Sequence, residues 1–391
     1  MKPVDLTTAS NAATHFAEPR AAYIHVPFCA HRCGYCNFTL VAGRDELIEP
    51  YLAAIAKELS WLETPRPVDT LFIGGGTPTH LPPRELDRLL ALARQWFPLS
   101  DGYEFSVEAN PIDIDGKRVA VLAAAGVTRV SLGAQSFRLE KLRLLERDHT
   151  AEVIQTAVDL LRPAVRSLSL DLIFGAPGET LDDWQAELAA ALRLRPDHVS
   201  TYGLTFERGT TFYSRRSHGS IQQLGEDVER TMYEYAIDTL TSTGFEHYEV
   251  SNFARPNHHC RHNKVYWNAD SYFAAGPGAA RYVNGVRETN HRSTLAYLKR
   301  IEQGASPVAE SETLDPEDRA REALVLGLRR LDGVPQEEFA ARFEFTVEEL
   351  GGASLTTHLK HGLLEIQDDR LQLTREGLLV SDALWGEYLR R

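Results

Sequence analysis

The sequence predicts an α/β fold of parallel βαβ units followed by a smaller helical domain that carries a β-hairpin. Three observations predict it. Six short runs rich in Val, Ile, Phe, Tyr and Leu end near Gly, Pro or Asn and read as strands: Ala22–Pro27, Thr70–Gly74, Glu104–Ala109, Arg129–Gly133, Ser167–Phe174 and His198–Gly203. Helical periodicities lie between them, and each strand–helix unit takes roughly thirty residues, which is the length of a parallel crossover. After residue 314 the pattern turns helical and then gives GLLEIQDDRLQLT, a hairpin sequence turning at Asp368-Asp369.

The helices follow from spacing. Ile48, Tyr51, Leu52, Ile55, Leu59 and Leu62 recur at three- and four-residue steps, as do Leu86, Leu89, Leu90, Ala93 and Phe97. Leu181–Leu194 repeats the pattern behind a Gly-Glu-Thr start, and Glu226–Thr243 is another helix. Gly209–Gly225 reads as a loop, Phe245–Asn290 as loop-rich, and Ala305–Leu314 as a linker. A last helix is expected over Arg375–Leu389. Six strands are too few for a closed eight-stranded barrel, so a partial barrel or a doubly wound sheet is expected. In both, chemistry gathers at the C-terminal ends of the strands.

Composition narrows the function classes. The 391 residues are 43% hydrophobic and 25% charged, near globular averages, with a net charge of −13. A broad acidic excess disfavours nucleic acid and anionic membrane as main partners. Helices followed by a hairpin suggest a winged-helix-like domain, but residues 314–391 carry 10 Lys and Arg against 16 Asp and Glu, so a packing role is expected rather than DNA binding. The longest apolar run, Val119–Val127, has nine residues, against the ~20 of a membrane span. Residues 1–20 contain no apolar signal core and read as a loose tail, so a cytoplasmic protein is expected.

Of four cysteines, Cys29, Cys33 and Cys36 fall in one CxxxCxxC stretch directly after the first strand. Such crowding does not suit a disulfide framework. Three thiolates on one loop suit three irons of a 4Fe-4S cube, leaving the fourth iron for an exogenous ligand. A structural zinc completed by His31, Cys260 or another His is the competing reading, but zinc sites usually show two ligand pairs.

The stretch Tyr23-Ile-His-Val-Pro-Phe-Cys29…Cys33-Gly-Tyr-Cys36-Asn-Phe resembles the radical S-adenosylmethionine superfamily. Within it, the sequence is similar to the oxygen-independent coproporphyrinogen III oxidases and the heme chaperones related to them, from about residue 21 to the C-terminus. The resemblance implies a partial (β/α)6 barrel with a C-terminal accessory domain, which with the helix–hairpin pattern gives a winged-helix-like α+β domain. The organisation expected is a tail (1–20), the barrel (21–245), a loop-rich segment with linker (246–313) and the C-terminal domain (314–391). It also implies a 4Fe-4S cluster and S-adenosylmethionine, whose carbon–sulfur bond an electron from the cluster can cleave.

The resemblance assigns the cofactor site residue by residue. Gly75, Gly76 and Thr77 lie in GGGTP, whose glycines would let the backbone approach the ligand's amino group. Glu108 would accept hydrogen bonds from ribose hydroxyls, and Gln135 and Asp171 match further cofactor positions. Arg147 would pair the ligand carboxylate, with an exposed helix-end cation as the alternative. Tyr23 would stand near the methionine moiety, unless it is a core aromatic, and Tyr35 would contribute backbone only. The Ala275–Ala280 loop would approach the adenosyl part, though turn formation alone explains its glycines.

Three features separate oxidase from chaperone. The oxidases carry one more cysteine where this chain has Phe38, and they have a longer N-terminal segment. Cys260-Arg-His262-Asn-Lys-Val-Tyr266-Trp267 resembles the HNxxYW motif of the heme-chaperone subgroup. His262, His258 and Cys260 are then the candidate heme-iron ligands, and Tyr266 and Trp267 candidates for stacking on the porphyrin; hydrogen-bonded loop histidines and packed aromatics are the plainer alternative. The expectation is a protein that binds heme and hands it to heme proteins, without coproporphyrinogen oxidase activity; decarboxylation of porphyrinogen propionates is the alternative. The family implies respiratory, membrane-attached heme acceptors; an electron donor for the cluster is expected as well, and the oligomeric state stays open, with a homodimer as one candidate.

Overall fold

A computed structural model describes residues 16–390. The tail expected over residues 1–20 lies outside the described residues as far as residue 15; Phe16 to Arg20 already pack, with Phe16 edge-on to Tyr282 and Arg20 paired to Asp69 at 2.7 Å.

Six strands run parallel in sequence order: β1 (Ala21–Val26), β2 (Val68–Gly75), β3 (Leu99–Ala109), β4 (Arg129–Gln135), β5 (Ser167–Phe174) and β6 (His198–Gly203). The expected strands are all present, β2 and β3 starting earlier than their sequence runs. Helices cross over between them, as right-handed βαβ connections require.

The strands alternate strictly. Ile24, Leu71, Ile73, Phe105, Val107, Val130, Leu132, Leu168, Leu170 and Val199 join one apolar core with Leu52, Ile55, Leu86, Leu90, Ile154 and Leu188 from the helices. The intervening residues are mostly polar: His25, Thr70, Glu104, Ser106, Glu108, Arg129, Ser131, Ser169, Asp171, His198 and Ser200. Period-two alternation puts these on the other face, which forms a polar lumen. A parallel sheet covered by apolar layers on both sides would instead read as continuous hydrophobic runs.

The loop-rich expectation for 245–290 needs correction. β7 (Glu246–Glu249) and β8 (Asn252–Ala254) extend the sheet beyond β6 in antiparallel fashion, and β9 (Phe273–Ala275) pairs parallel with β1 at the opposite edge. The nine-stranded sheet thus draws both edges from one segment. A helix, Arg261–Trp267, lies between them. The expected linker is also structured: Val308–Thr313 pairs with Val286–Asn290, which pairs with Ala280–Val283. Thr211–Ser217 forms a short helix in the expected 209–225 loop, capped by the Thr210 hydroxyl.

The C-terminal region has winged-helix-like order: helix Pro316–Leu328, the short strand Val334–Pro335, helices Gln336–Phe343 and Val347–Lys360, then the hairpin Leu364–Gln367/Arg370–Leu373. Asp368 and Asp369 both have positive φ (48° and 62°), which matches a two-residue hairpin turn to the strand twist. The last helix is two pieces, Arg375–Leu379 and Ser381–Tyr388, broken at Val380. This region docks on the barrel by backbone hydrogen bonds from Leu331 N–H to the Tyr248 carbonyl (3.2 Å) and from Val250 N–H to the Arg329 carbonyl (3.1 Å).

Candidate functional site

The sequence-predicted cofactor residues gather at the C-terminal ends of β1 to β5. The cysteine loop follows β1 directly, and the GGGTP segment at the end of β2 is laced to it. Gly76 N–H donates to the Val26 carbonyl (2.7 Å), Thr77 N–H to the Phe28 carbonyl (2.8 Å), and Cys29 Sγ lies 3.3 Å from Thr77 Oγ1. Two glycines are required here. Gly75 has φ +116°, and a Cβ on it would fall 2.5 Å from the His25 ring; one on Gly76 would fall 2.7 Å from the Phe28 carbonyl oxygen. Arg32 pins the other end of the loop by donating to the carbonyls of Cys36, Phe38 and Leu40.

Cys33 is buried, whereas Cys29 and Cys36 are half-buried. Burial pushes the Cys29 thiol up to about 11 and raises Cys36 as well, so a group that takes thiolates here must displace protons. Arg147 reaches this loop rather than solvent: its Nη1 lies 3.7 Å from Cys33 Sγ, and its Nη2 donates to Asn110 Oδ1 (3.0 Å) and the Gly133 carbonyl (2.9 Å). A fixed guanidinium beside thiols favours their ionised form. Among the described residues no three His, Cys, Asp or Glu side chains converge on a single ion. A 4Fe-4S cube binds each thiolate at a different iron, so these three cysteines fit it better than they fit one zinc.

Glu108 ends β3 with its carboxylate accepting the Gly75 N–H (2.8 Å). Its low-dielectric surroundings, with Asp171 nearby, raise it to about 7. Asp171 on β5 accepts hydroxyls from Ser200 (2.8 Å), Ser131 (3.0 Å) and Ser169 (3.3 Å), and desolvation still raises its pKa. Gln135 has φ +62°, and the β4–β5 register shifts between Leu132 and Gln135. This irregularity ends the strand at the residue the resemblance singles out. Tyr23 OH bonds His25 Nδ1 (3.1 Å), and His25 Nε2 lies 2.7 Å from the Thr39 carbonyl oxygen; burial lowers His25 to about 4 and keeps it neutral. The Tyr35 ring packs edge-on against Phe212. Phe38 is 59% exposed at the rim.

Sequence reasoning missed Glu58. This buried carboxyl accepts the Gly276 N–H (2.9 Å), Asn290 Nδ2 (2.7 Å) and Tyr297 OH (2.6 Å), holding the 275–280 loop against His25 and Thr39. An acid on the apolar face of a helix, between Ile55 and Leu59, is the signal that could have found it.

The HNxxYW segment lies at the opposite mouth of the lumen, where the strands start. The carboxylate of Glu104 accepts the N–H groups of Arg261 (2.9 Å) and His262 (3.1 Å), with Cys260 Sγ at 3.7 Å. His262 is 1% exposed; its Nδ1 lies 2.9 Å from Thr70 Oγ1 and its Nε2 2.8 Å from Tyr266 OH. Burial lowers it to about 3 and pushes Cys260 up to about 12. Tyr248 OH receives the Cys260 N–H and bonds His198, which continues to Ser169. The Arg329 guanidinium lies over Trp267 at 4.6 Å. His258 sits in the turn before the helix, its N–H on the Arg255 carbonyl. The structure therefore gathers Cys260 and His262 in a hydrogen-bonded plug and does not bring them to the cysteine loop. Glu104, the anchor of this plug, is a second residue the sequence reading passed over.

The Radical SAM superfamily model matches residues 23–190, and the HemN C-terminal domain model residues 314–380. The "Heme chaperone HemW" of Lactococcus lactis subsp. lactis (strain IL1403) is 34% identical over 95% of this chain and 98% of its own length. That of Bacillus subtilis (strain 168) is 33% identical over 95% and 99%. The chain belongs to the HemW family of radical S-adenosylmethionine proteins. The solved structure of the Escherichia coli coproporphyrinogen III oxidase HemN, described as a radical SAM enzyme, superposes with a TM-score of 0.83 at 22% identity, covering 96% of this chain and 92% of that one. The chain therefore has the partial (β/α)6 barrel with its C-terminal winged-helix-like domain. Among the described residues no helix is long and apolar enough to cross a membrane.

Proposed function

We propose that this protein binds heme and delivers it to heme proteins, on a barrel that carries a 4Fe-4S cluster and S-adenosylmethionine. The observation that carries the reading is full-length similarity to relatives named heme chaperones, together with Phe38 where the oxidases have a further cysteine. Coproporphyrinogen turnover is accordingly not expected.

Cys29, Cys33 and Cys36 would hold the cluster, which when bound would supply an electron-transfer centre for S-adenosylmethionine chemistry. The chain's own residues do the rest. Gly75 and Gly76 keep the β2 end free of side chains so that backbone polar groups face the ligand. Glu108, when ionised, accepts ribose hydroxyls, and Gln135 and Asp171 line the same rim. Arg147 places a positive charge at the cysteine loop that works against the burial of Cys29 and Cys36 and would pair the ligand carboxylate. Tyr23 and His25 form a neutral strut that fixes the wall behind the cysteine loop. In the plug as folded, His262 has both ring nitrogens bonded, so heme ligation by it requires release of Thr70 or Tyr266. A cytoplasmic setting, an external electron donor, a dimeric state and respiratory or membrane-attached acceptors belong to the same proposal.

An anaerobic hemin titration of the cluster-reconstituted protein, read by the Soret band and followed by gel filtration, tests it. About one heme per chain, transferable to an apo heme protein, is the expected result. No retained heme, with turnover of coproporphyrinogen III, overturns it.

A further inference from the structure

We propose that heme sits in the cavity between the N-terminal mouth of the barrel and the C-terminal domain, away from the cysteine loop, with a propionate on Arg319. This location rests on the heme-binding reading above. The cavity has a volume of about 530 Å³, within the ~300–1,000 Å³ usual for sites that enclose an organic ligand. It is walled by the start of β1, helix Arg261–Trp267, strand Ala280–Val283 and the first two helices of the C-terminal domain.

Its lining is amphipathic in a way that suits a flat apolar macrocycle with carboxylate arms. Phe16, Tyr282 and Phe343 supply aromatic surface, and two guanidiniums lie over it: Arg319 4.9 Å from the Phe16 ring and Arg342 4.9 Å from that of Phe343. Four arginines meet three carboxylates here, in a chain whose net charge is −13. Three of the four are engaged. Arg20 pairs with Asp69 (2.7 Å), Arg342 with Asp270 (3.0 Å) and the carbonyls of Asn268 and Ala269, and Arg261 donates to the Gly102 carbonyl. Arg319 makes no ion pair or side-chain hydrogen bond with any described residue, and its Nε is buried without a partner. A half-buried guanidinium whose Nε has no partner, set against aromatic rings, is a receptor for a carboxylate, which it binds in a charge-assisted, bidentate fashion.

The neighbouring wall adds a reason. Thr70 and Arg261 border the cavity, and Thr70 Oγ1 is the partner of His262 Nδ1. A ligand here presses on the plug that the HNxxYW segment forms, one residue away from its histidine.

Hemin and its dimethyl ester, titrated into the full-length cluster-reconstituted protein, test the location. Arg319→Glu removes no ion pair or side-chain hydrogen bond with a described residue, only the contact with the Phe16 ring; it is expected to weaken hemin at least tenfold and to leave the ester unchanged. Ser271→Trp fills the cavity without changing charge and is expected to weaken both. Iron and sulfide content and the thermal midpoint report folding in each variant. Wild-type binding that neither variant alters overturns the location and leaves the heme reading standing. A wild-type protein that binds no hemin overturns both.

Discussion

Glu104 and Glu108 stand on the same face of the same strand, four residues and roughly 13 Å apart, and do opposite things. Glu104 faces the plug and is saturated: two backbone N–H groups and a thiol converge on it. Glu108 faces the cysteine loop and accepts one backbone N–H, so most of its acceptor capacity is open. At one mouth Glu104 and His262 have their hydrogen bonds filled, although Trp267 Nε1 and His258 Nδ1 stay buried without a partner; the other is lined by close-approach glycines and half-exposed thiols. Residue type does not distinguish them, because both mouths hold Cys, His, Tyr and Glu. What distinguishes them is how many partners the fold has already supplied.

The comparison breaks most completely at the open mouth if the cysteines hold no cluster. Replacing Cys29, Cys33 or Cys36 by Ser is expected to abolish the broad visible absorption of the reconstituted protein; normal iron and sulfide content in all three variants would refute the assignment. At the sealed mouth, Glu104→Ala leaves the buried His262 N–H and the part-buried Arg261 N–H unpaired and is expected to cost about 2–3 kcal/mol in denaturant unfolding. A cost below about 1 kcal/mol would mean that the plug is not anchored there.

The same pair differs in pH response. Glu108 is raised from 4.5 to about 7 in the folded protein, so between those values the folded state binds more protons than the unfolded one, and stability falls as pH rises. Glu108→Gln is expected to remove that fall, gaining up to about 3 kcal/mol over wild type at pH 8 relative to pH 4.5. Parallel stability curves for the two proteins would place the raised value elsewhere. Tyr266→Phe leaves His262 Nε2 without its partner and is expected to cost about 1–2 kcal/mol while leaving iron content unchanged. At the small end, Arg375→Ala removes an exposed ion pair to Asp238 between C-terminal domain and barrel, and thermal unfolding should shift by no more than about 0.5 kcal/mol equivalent.

Much of this was legible in the sequence. The six parallel strands, their helices and the Asp368-Asp369 turn announce themselves locally, because period-two and helical spacings and turn residues act over a few positions. The cysteine loop was legible too, since its three ligand candidates are adjacent in the chain. The alternation Glu104-x-Ser106-x-Glu108 and Ser167-x-Ser169-x-Asp171 already marks a polar face, a signal that the strand assignment alone left unused. The loop-rich reading of 245–290 failed because strands of three or four residues carry too little pattern; Phe273–Ala275 is a strand only because β1, some 250 residues earlier, offers it an edge.

Sequence by itself determined the order of the six parallel strands, the apolar faces of the helices with clear periodicity and the chemistry available at the end of β1. Tertiary structure alone decided which mouth of the barrel each histidine and cysteine serves. The reason is that a side chain's availability depends on its partners, and those of His262 and Cys260 come from residues 70, 104 and 248 as well as from their own helix. Such partners are brought together by the curl of a sheet and by a segment that closes both of its edges, which no local pattern in the chain encodes.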